Sequence, residues 1–245
     1  MKDFASDQTL ANSVAIHESP LIEINGLLFY KEECKTPQFL NSSFATTLFD
    51  EAVVVDHFVL LFSDSESLTH YAHALIEYGA QAIEGPGQWP QDFCPNQDLF
   101  PDELSIYFLS VLMPSGGILG LGAPHAPNDQ LDRLLQERGL NAVHHVAIRV
   151  NDVDTAAEVW RRKGFIPMSA IPQNDGCLCQ WFFSNQAGQI VELICRQCEG
   201  SATLSCRNST GLRLSEEEVQ KVQLRGERPS PHSAVSQQNR YFFPE

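Results

Sequence analysis

Three residues able to bind a divalent metal stand in apolar, β-branched surroundings. His57 lies in Asp56-His57-Phe58-Val59-Leu60-Leu61, His145 in His144-His145-Val146-Ala147-Ile148, and Glu192 in Gln189-Ile190-Val191-Glu192-Leu193-Ile194. A carboxylate centred in such a run is costly to bury unless it is paired or bound to a metal. Imidazole nitrogens and carboxylate oxygens are the usual donors for zinc and for non-haem iron. Any one of these histidines, taken alone, is more often a hydrogen-bonded structural residue than a ligand. The case for a metal therefore depends on the three meeting.

The elements that would bring them together can be read from periodicity. Residues 143–150 predict a strand, and Asn151 or Asp152 then caps a helix. Its apolar positions Val153, Ala156, Ala157 and Trp160 fall at helical spacing, and Gly164 stops it. Two further strands, 178–184 and 189–195, flank the turn Asn185-Gln186-Ala187-Gly188. Side chains alternate faces along a strand, so His145 shares a face with Ala147 and Arg149, and Glu192 with Ile190 and Ile194. By the same rule His144 falls on the opposite face, as a structural residue. Asp56 faces away from His57 and is not read as a ligand.

The sequence also repeats itself. Residues 56–64 align with residues 144–152, which places His57 opposite His145 at an offset of 145 − 57 = 88. Each copy continues into an amphipathic helix that ends at a glycine, Gly79 or Gly164, and later into a Gly-rich turn and an apolar strand. The second-copy ending 188–193 aligns with 116–121, so Gly120 stands where Glu192 does. Such self-similarity implies two copies of one β-α-β-β-β unit.

On Asp56-His57-Phe58-Val59-Leu60-Leu61, His144-His145-Val146-Ala147-Ile148-Arg149-Val150-Asn151-Asp152-Val153 after a Gly-Leu turn, and Gly188-Gln189-Ile190-Val191-Glu192-Leu193, the chain resembles the vicinal oxygen chelate superfamily. That group includes glyoxalases, methylmalonyl-CoA epimerases, extradiol dioxygenases and 4-hydroxyphenylpyruvate dioxygenases. The resemblance covers about residues 52–196, and a helix at 131–138 resembles the connector of the epimerase branch. It implies an α+β fold: two tandem βαβββ modules forming a cup-shaped eight-stranded mixed sheet around one divalent metal. The expected organisation is an N-terminal extension and linker (1–51), a first module (52–123), a connector helix (124–142), a second module (143–196) and a polar C-terminal extension (197–245). The resemblance assigns the metal to His57, His145 and Glu192.

Departures from the family pattern narrow the chemistry. Glyoxalases and epimerases of this group carry a fourth ligand, Glu or Gln, where this chain has Gly120; the neighbours Leu119 and Leu121 cannot bind metal either. Two histidines and one carboxylate with open positions form the facial triad of non-haem Fe(II) oxygenases. The same trio can hold zinc and a water, so ligand count alone does not fix the metal. The extradiol signature before the glutamate is only partly matched, by Phe182, Asn185, Gln186 and Gly188. Its upstream histidine is missing, since Gln173, Asn174 and Asp175 occupy that region. The epimerase branch needs a carboxylate base on the strand at 105–113, which has none; Glu103 lies just outside.

The leading expectation is thus an Fe(II) dioxygenase for a small substrate chelated through adjacent oxygens. A metal-dependent isomerase or lyase and a non-catalytic binding module are the alternatives. Tyr107 and His125 are candidate acids or bases beside the metal, though a structural role is the commoner one for each.

Composition excludes some classes. Of 245 residues, 43% are hydrophobic and 19% charged, as in an ordinary globular protein. The net charge of −15 repels nucleic-acid phosphates and anionic membranes. No apolar run approaches a membrane span and the N-terminus lacks a signal-peptide core, so a cytoplasmic location is expected. Seven cysteines, an odd number, fit a reducing compartment. Cys195-x-x-Cys198 with Cys206 suggests zinc only weakly, since no second pair has matching spacing. Cys177 and Cys179 read as packing residues. The loop 85–102, rich in proline, is read as a substrate cover or an excursion. Residues 216–224 suggest a short helix, and 228–240 a disordered stretch. The apolar ends Leu27–Tyr30 and Tyr241–Phe243 suggest a homodimer contact.

Overall fold

A computed structural model describes residues 21–24, 27–30, 45–94, 104–114, 117–138, 143–198 and 206–224. Leu21–Ile24 (β1) and Leu27–Tyr30 (β2) pair as a separate antiparallel hairpin. The linker expected up to residue 51 instead contributes a strand, Ala45–Leu48 (β3), antiparallel to Glu51–Leu61 (β4).

β4 opens the first module. Ser65–Tyr78 (α1) follows, capped by Asp64, whose carboxylate accepts from the Ser67 amide, and closed by Gly79 at φ 112°. Only glycine enters that left-handed region without strain. Gln81–Trp89 (β5), Ile106–Leu112 (β6) and Ile118–Pro124 (β7) complete the module, and Gln130–Arg138 (α2) is the expected connector. The stretch read as a loop from Gly85 is therefore strand as far as Trp89. Its ladder to β6 slips between Glu84 and Gly87, where Pro86 cannot donate.

The second module runs through Val143–Arg149 (β8), Val153–Arg162 (α3), Ile166–Pro167 (β9), Gln173–Asn174 (β10), Leu178–Ser184 (β11) and Ile190–Arg196 (β12). Asp152 is the helix cap, accepting from the Thr155 amide. The second strand of this module is split into two short pieces. Pro167 and Pro172 remove donors from the stretch that would join them.

The eight strands of the main path are ordered β10-β11-β12-β8-β4-β7-β6-β5; β3 pairs with β4 and β9 with β11, giving ten in one mixed sheet. The modules meet through their first strands, β4 antiparallel to β8. In each module the first strand lies parallel to the last. The registers repeat: His57 sits opposite Ile118 as His145 sits opposite Ile190. Gly120 is therefore the structural equivalent of Glu192. The pairs His57–Ala147 and Val59–His145 are likewise exchanged by the same approximate two-fold relation.

One sheet face packs on α1 and α3. Phe58, Leu60, Val146, Ile148, Val191 and Leu193 meet Leu68, Leu75, Ala157 and Trp160 in the main core. Trp160 is 2% exposed, and truncating so large a buried side chain costs about 3–5 kcal/mol. The opposite face is left for the site.

Two expectations are corrected here. The polar C-terminal extension contains a nineteen-residue helix, Cys206–Leu224 (α4), with Leu212, Leu214, Val219, Asn208, Arg213 and Glu216 all buried. Asn208 donates to Gln180 and Arg213 to the Leu104 carbonyl, partners far away in sequence that composition cannot show. Two disulfides, Cys94–Cys206 and Cys177–Cys198, replace both the reducing-compartment reading and the zinc suggestion, and Cys177 is not simply a packing residue. Cys179 and Cys195 are free thiols. Among the described residues no helix is long and apolar enough to cross a membrane. Glu103, Tyr241–Phe243 and residues 228–240 lie outside the described residues.

Candidate metal centre

His57 on β4, His145 on β8 and Glu192 on β12 converge, all buried at 3%, 5% and 1% exposure. Glu192 Oε2 is 3.1 Å from His57 Nε2 and 3.1 Å from His145 Nε2, and the two imidazole nitrogens are 3.4 Å apart. Atoms held about 2.1 Å from one divalent ion at angles of about 90–110° lie roughly 3.0–3.4 Å from each other. The spacing of the three donors fits a metal. Two neutral nitrogens and one carboxylate suit zinc or non-haem iron as a donor set.

The strand pleat does not run undisturbed through the site. On β4 the register shifts between Val55 and His57, leaving Asp56 as an extra residue; on β8 it shifts at His144, which faces no partner between Val143 and His145. Each bulge immediately precedes a candidate ligand. Alternation therefore fails for both neighbours. Asp56 Oδ1 lies 2.9 Å from His57 Nδ1, and His144 Nδ1 lies 2.8 Å from His145 Nδ1. His144 also lines the cavity, contrary to the expectation that it sits on the far face. Asp56 is no ligand, as expected, but it orients one, and its carboxylate accepts from Arg149 Nε and Arg196 Nε at 2.9 Å each.

Glu192 Oε1 accepts a hydrogen bond from Gln180 Nε2, which stands on the neighbouring strand β11. Sequence reading missed Gln180. Its signal was available, since Gln180, Phe182 and Glu192 all belong on the same faces of adjacent strands.

Electrostatics follow from this packing. Burial alone would lower His57, but the Glu192 charge and the contacts with Asp56 and Glu192 outweigh it and hold it up at about 9. His145 is lowered to about 4 because burial wins over the attraction of Glu192. Burial works to raise Glu192, and the His57 charge together with both imidazole hydrogen bonds brings it below the usual carboxylate range. Asp56 is also driven down: burial is overcome by Arg196 and His57. The metal-free centre is thus a Glu192 carboxylate paired with one imidazolium, His57, beside one neutral imidazole, His145.

The three donors open into a cavity. Val59, Leu61, Phe108 and Phe182 form apolar walls, and Glu192 is its one carboxylate among the described residues. Gly120 lines it too; a Cβ there would meet Val59 Cγ2 at 2.9 Å and the Phe108 ring at 3.3 Å. The fourth-ligand position is therefore both vacant and enclosed by apolar groups. Tyr107 and His125 do not line the cavity. Tyr107 packs against the main core, and His125 Nε2 contacts Gln88 Nε2 at 3.0 Å.

Paired βαβββ modules join through their first strands, and one histidine from each first strand and a glutamate from a last strand meet on the open face, the arrangement expected from the sequence. No family model matches the sequence, and no curated protein does. Among solved structures the chain is similar to a methylmalonyl-CoA epimerase from Mycobacterium tuberculosis, at 18% identity and TM-score 0.42, over 59% of this chain and 89% of that one. It is also similar to a triple mutant of 4-hydroxymandelate synthase from Streptomyces coelicolor, at 16% identity and TM-score 0.46, over 67% of this chain and 55% of that one. A Streptomyces coelicolor methylmalonyl-CoA epimerase variant in complex with 2-nitronate-propionyl-CoA is 19% identical, with TM-score 0.40, over 59% of this chain and 97% of that one.

Proposed function

We propose that the chain is a metal-dependent oxygenase that holds Fe(II) with His57, His145 and Glu192 and acts on a small substrate chelating through two adjacent oxygens. The observation that carries this reading is the pairing of Val59 with Gly120: where the second module supplies Glu192, the first supplies no donor. Three protein ligands leave positions for substrate oxygens and for dioxygen. Iron there would supply electron exchange between an electron-rich chelated substrate and dioxygen.

The chain's own residues have separate tasks. Glu192 contributes the single negative charge, and His57 and His145 contribute neutral nitrogens once His57 has lost its proton. Gln180 ties down Glu192 Oε1, leaving Oε2 toward the imidazoles. Phe108, Phe182 and Leu61 exclude water and favour a substrate with an apolar body. The isomerase alternative lacks a second carboxylate in the cavity among the described residues to act as base.

The test is oxygen uptake by protein loaded anaerobically with Fe(II), against a panel of 2-oxo acids, 2-hydroxy acids and vicinal diols with apolar side groups. Uptake with at least one class, lost in Glu192→Ala, is expected. Absence of uptake together with metal-dependent exchange of a substrate C–H proton with solvent deuterium would overturn the oxygenase in favour of the isomerase.

A further inference from the structure

The first-module ligand His57 is backed directly by a carboxylate, Asp56. At the equivalent place the second module has His144, an imidazole on the same kind of bulge. An imidazole can hold a neighbouring imidazole in one tautomer only if its own proton is placed, and that requires an acceptor on its far nitrogen. The acceptor comes from outside both modules. Glu216 Oε1, on α4, lies 2.9 Å from His144 Nε2, an ion-pair contact that is close without being aligned as a linear hydrogen bond. Glu216 Oε2 meanwhile accepts from Arg213 Nη1 at 3.1 Å. With the carboxylate favouring a proton on His144 Nε2, His144 Nδ1 is left as an acceptor. A metal held on His145 Nε2 would put the His145 proton on Nδ1, where His144 Nδ1 would accept it.

The same helix reaches the other second-module ligand. Asn208 Nδ2 donates to Gln180 Oε1 at 2.5 Å, so the Gln180 amide presents its NH2 end, and not its oxygen, to Glu192. Asn208 and Glu216 stand eight residues apart on α4, both nearly fully buried at 1% and 4% exposure. Each ends a relay of two side chains at a different ligand.

We propose that α4 is part of the metal centre, with Asn208 and Glu216 as positioning residues that fix Glu192 through Gln180 and His145 through His144. This rests on the reading that His57, His145 and Glu192 bind a metal. A helix that merely roofs the cavity would tolerate isosteric changes at these two positions, whereas a relay would not.

The experiment measures Co(II) affinity of the full-length, disulfide-intact protein by chelator competition, with the Co(II) visible absorption spectrum and the thermal midpoint recorded for every variant. Glu216→Gln removes the charge that places the His144 proton, and Asn208→Asp replaces the donor to Gln180 with an acceptor. Both keep side-chain size. Each should weaken Co(II) binding ten- to a hundredfold and alter the spectrum. Glu217→Gln, on the same helix but paired with Arg133 at 2.6 Å, should leave affinity within about twofold. The decisive variant is His144→Asp with Glu216→Gln. It gives His145 the direct carboxylate that His57 has, so it should recover most of the affinity lost in Glu216→Gln alone. A wild-type protein that binds no Co(II) removes the metal reading and this proposal with it. A wild-type protein that binds Co(II), with Glu216→Gln and Asn208→Asp no weaker than Glu217→Gln, overturns the relay and leaves the metal reading standing. Failure of the double variant to recover affinity likewise overturns the His144 arm.

Discussion

Asp56 and His144 occupy equivalent bulges in the two modules, each one residue before a buried histidine and each within 2.9 Å of that histidine's Nδ1. The repeated sequence has kept the bulge and changed the residue on it. The two halves of the centre are electrostatically unequal: Glu192, with Asp56 beside it, holds His57 up, while burial pushes His145 down.

Asp56 is tied to His57, Arg149 and Arg196 at once. Removing one partner from a buried charge cluster costs about 3–5 kcal/mol. The lower end applies here, because the Arg149 side chain is 42% exposed and can return to water. Asp56→Ala should therefore lower stability by about 3 kcal/mol in urea unfolding. Asp56→Asn should cost less, yet still weaken metal binding about tenfold through loss of the His57 orientation.

Metal and proton compete for His57. With its midpoint near 9 the metal-free protein carries a proton there at neutral pH, while His145, near 4, carries none. Metal binding at pH 7 should release about one proton, measurable by calorimetry in buffers of different ionisation enthalpy, and apparent affinity should fall as pH is lowered. The sign for folding is separate. A folded-state value above the unfolded 6.5 means the His57 pairing stabilises the metal-free protein fully below about pH 6.5, and this contribution is lost as pH rises through about 9. Metal-free protein should lose stability across that window more steeply than Glu192→Gln.

Glu192→Gln removes the charge that raises His57. Its imidazole should then titrate well below 9, followed by NMR of the ring protons, and metal affinity should drop by more than a hundredfold. A His57 midpoint unchanged in this variant would show that Asp56 alone sets it.

Gly120 meets Val59 and Phe108 too closely for a Cβ. Gly120→Ala should destabilise by about 1–3 kcal/mol as Val59 is forced to shift. Val59→Ala in the same chain should restore most of the loss, readable as a recovered thermal midpoint. A glutamate at position 120 would likewise need room made at Val59 before it could act as a fourth ligand.

The Cys94–Cys206 bridge spans 112 residues and Cys177–Cys198 spans 21. Closing the longer loop restricts the unfolded chain more, by about 4–5 kcal/mol against about 3. Cys206→Ser should therefore lower stability more than Cys198→Ser, with non-reducing peptide mapping establishing the two pairings beforehand.

Much of the fold is determined locally. The β-branched runs, the caps Asp64 and Asp152, the stops Gly79 and Gly164 and the 88-residue repeat specify two like modules, because each signal acts within a few residues. The same repeat, carried to the last strands, located Glu192 and the empty position at Gly120, since equivalent registers place equivalent residues on one face. Alternation then correctly sent His57, His145 and Glu192 inward. It misplaced His144 and overlooked the contact made by Asp56, because one extra residue in a ladder re-aims a side chain and no local pattern marks a bulge. The surroundings of the metal site were decided only by tertiary structure. Gln180 and Asn208 are 28 residues apart, and Arg213 Nε donates to the backbone carbonyl of Leu104, 109 residues away. A helix that buries Asn208, Arg213 and Glu216 beside Leu212, Leu214 and Val219 has the composition of a solvated one; the apolar contacts with Phe182 and Ile190 and the polar partners across the cavity together make burying it favourable.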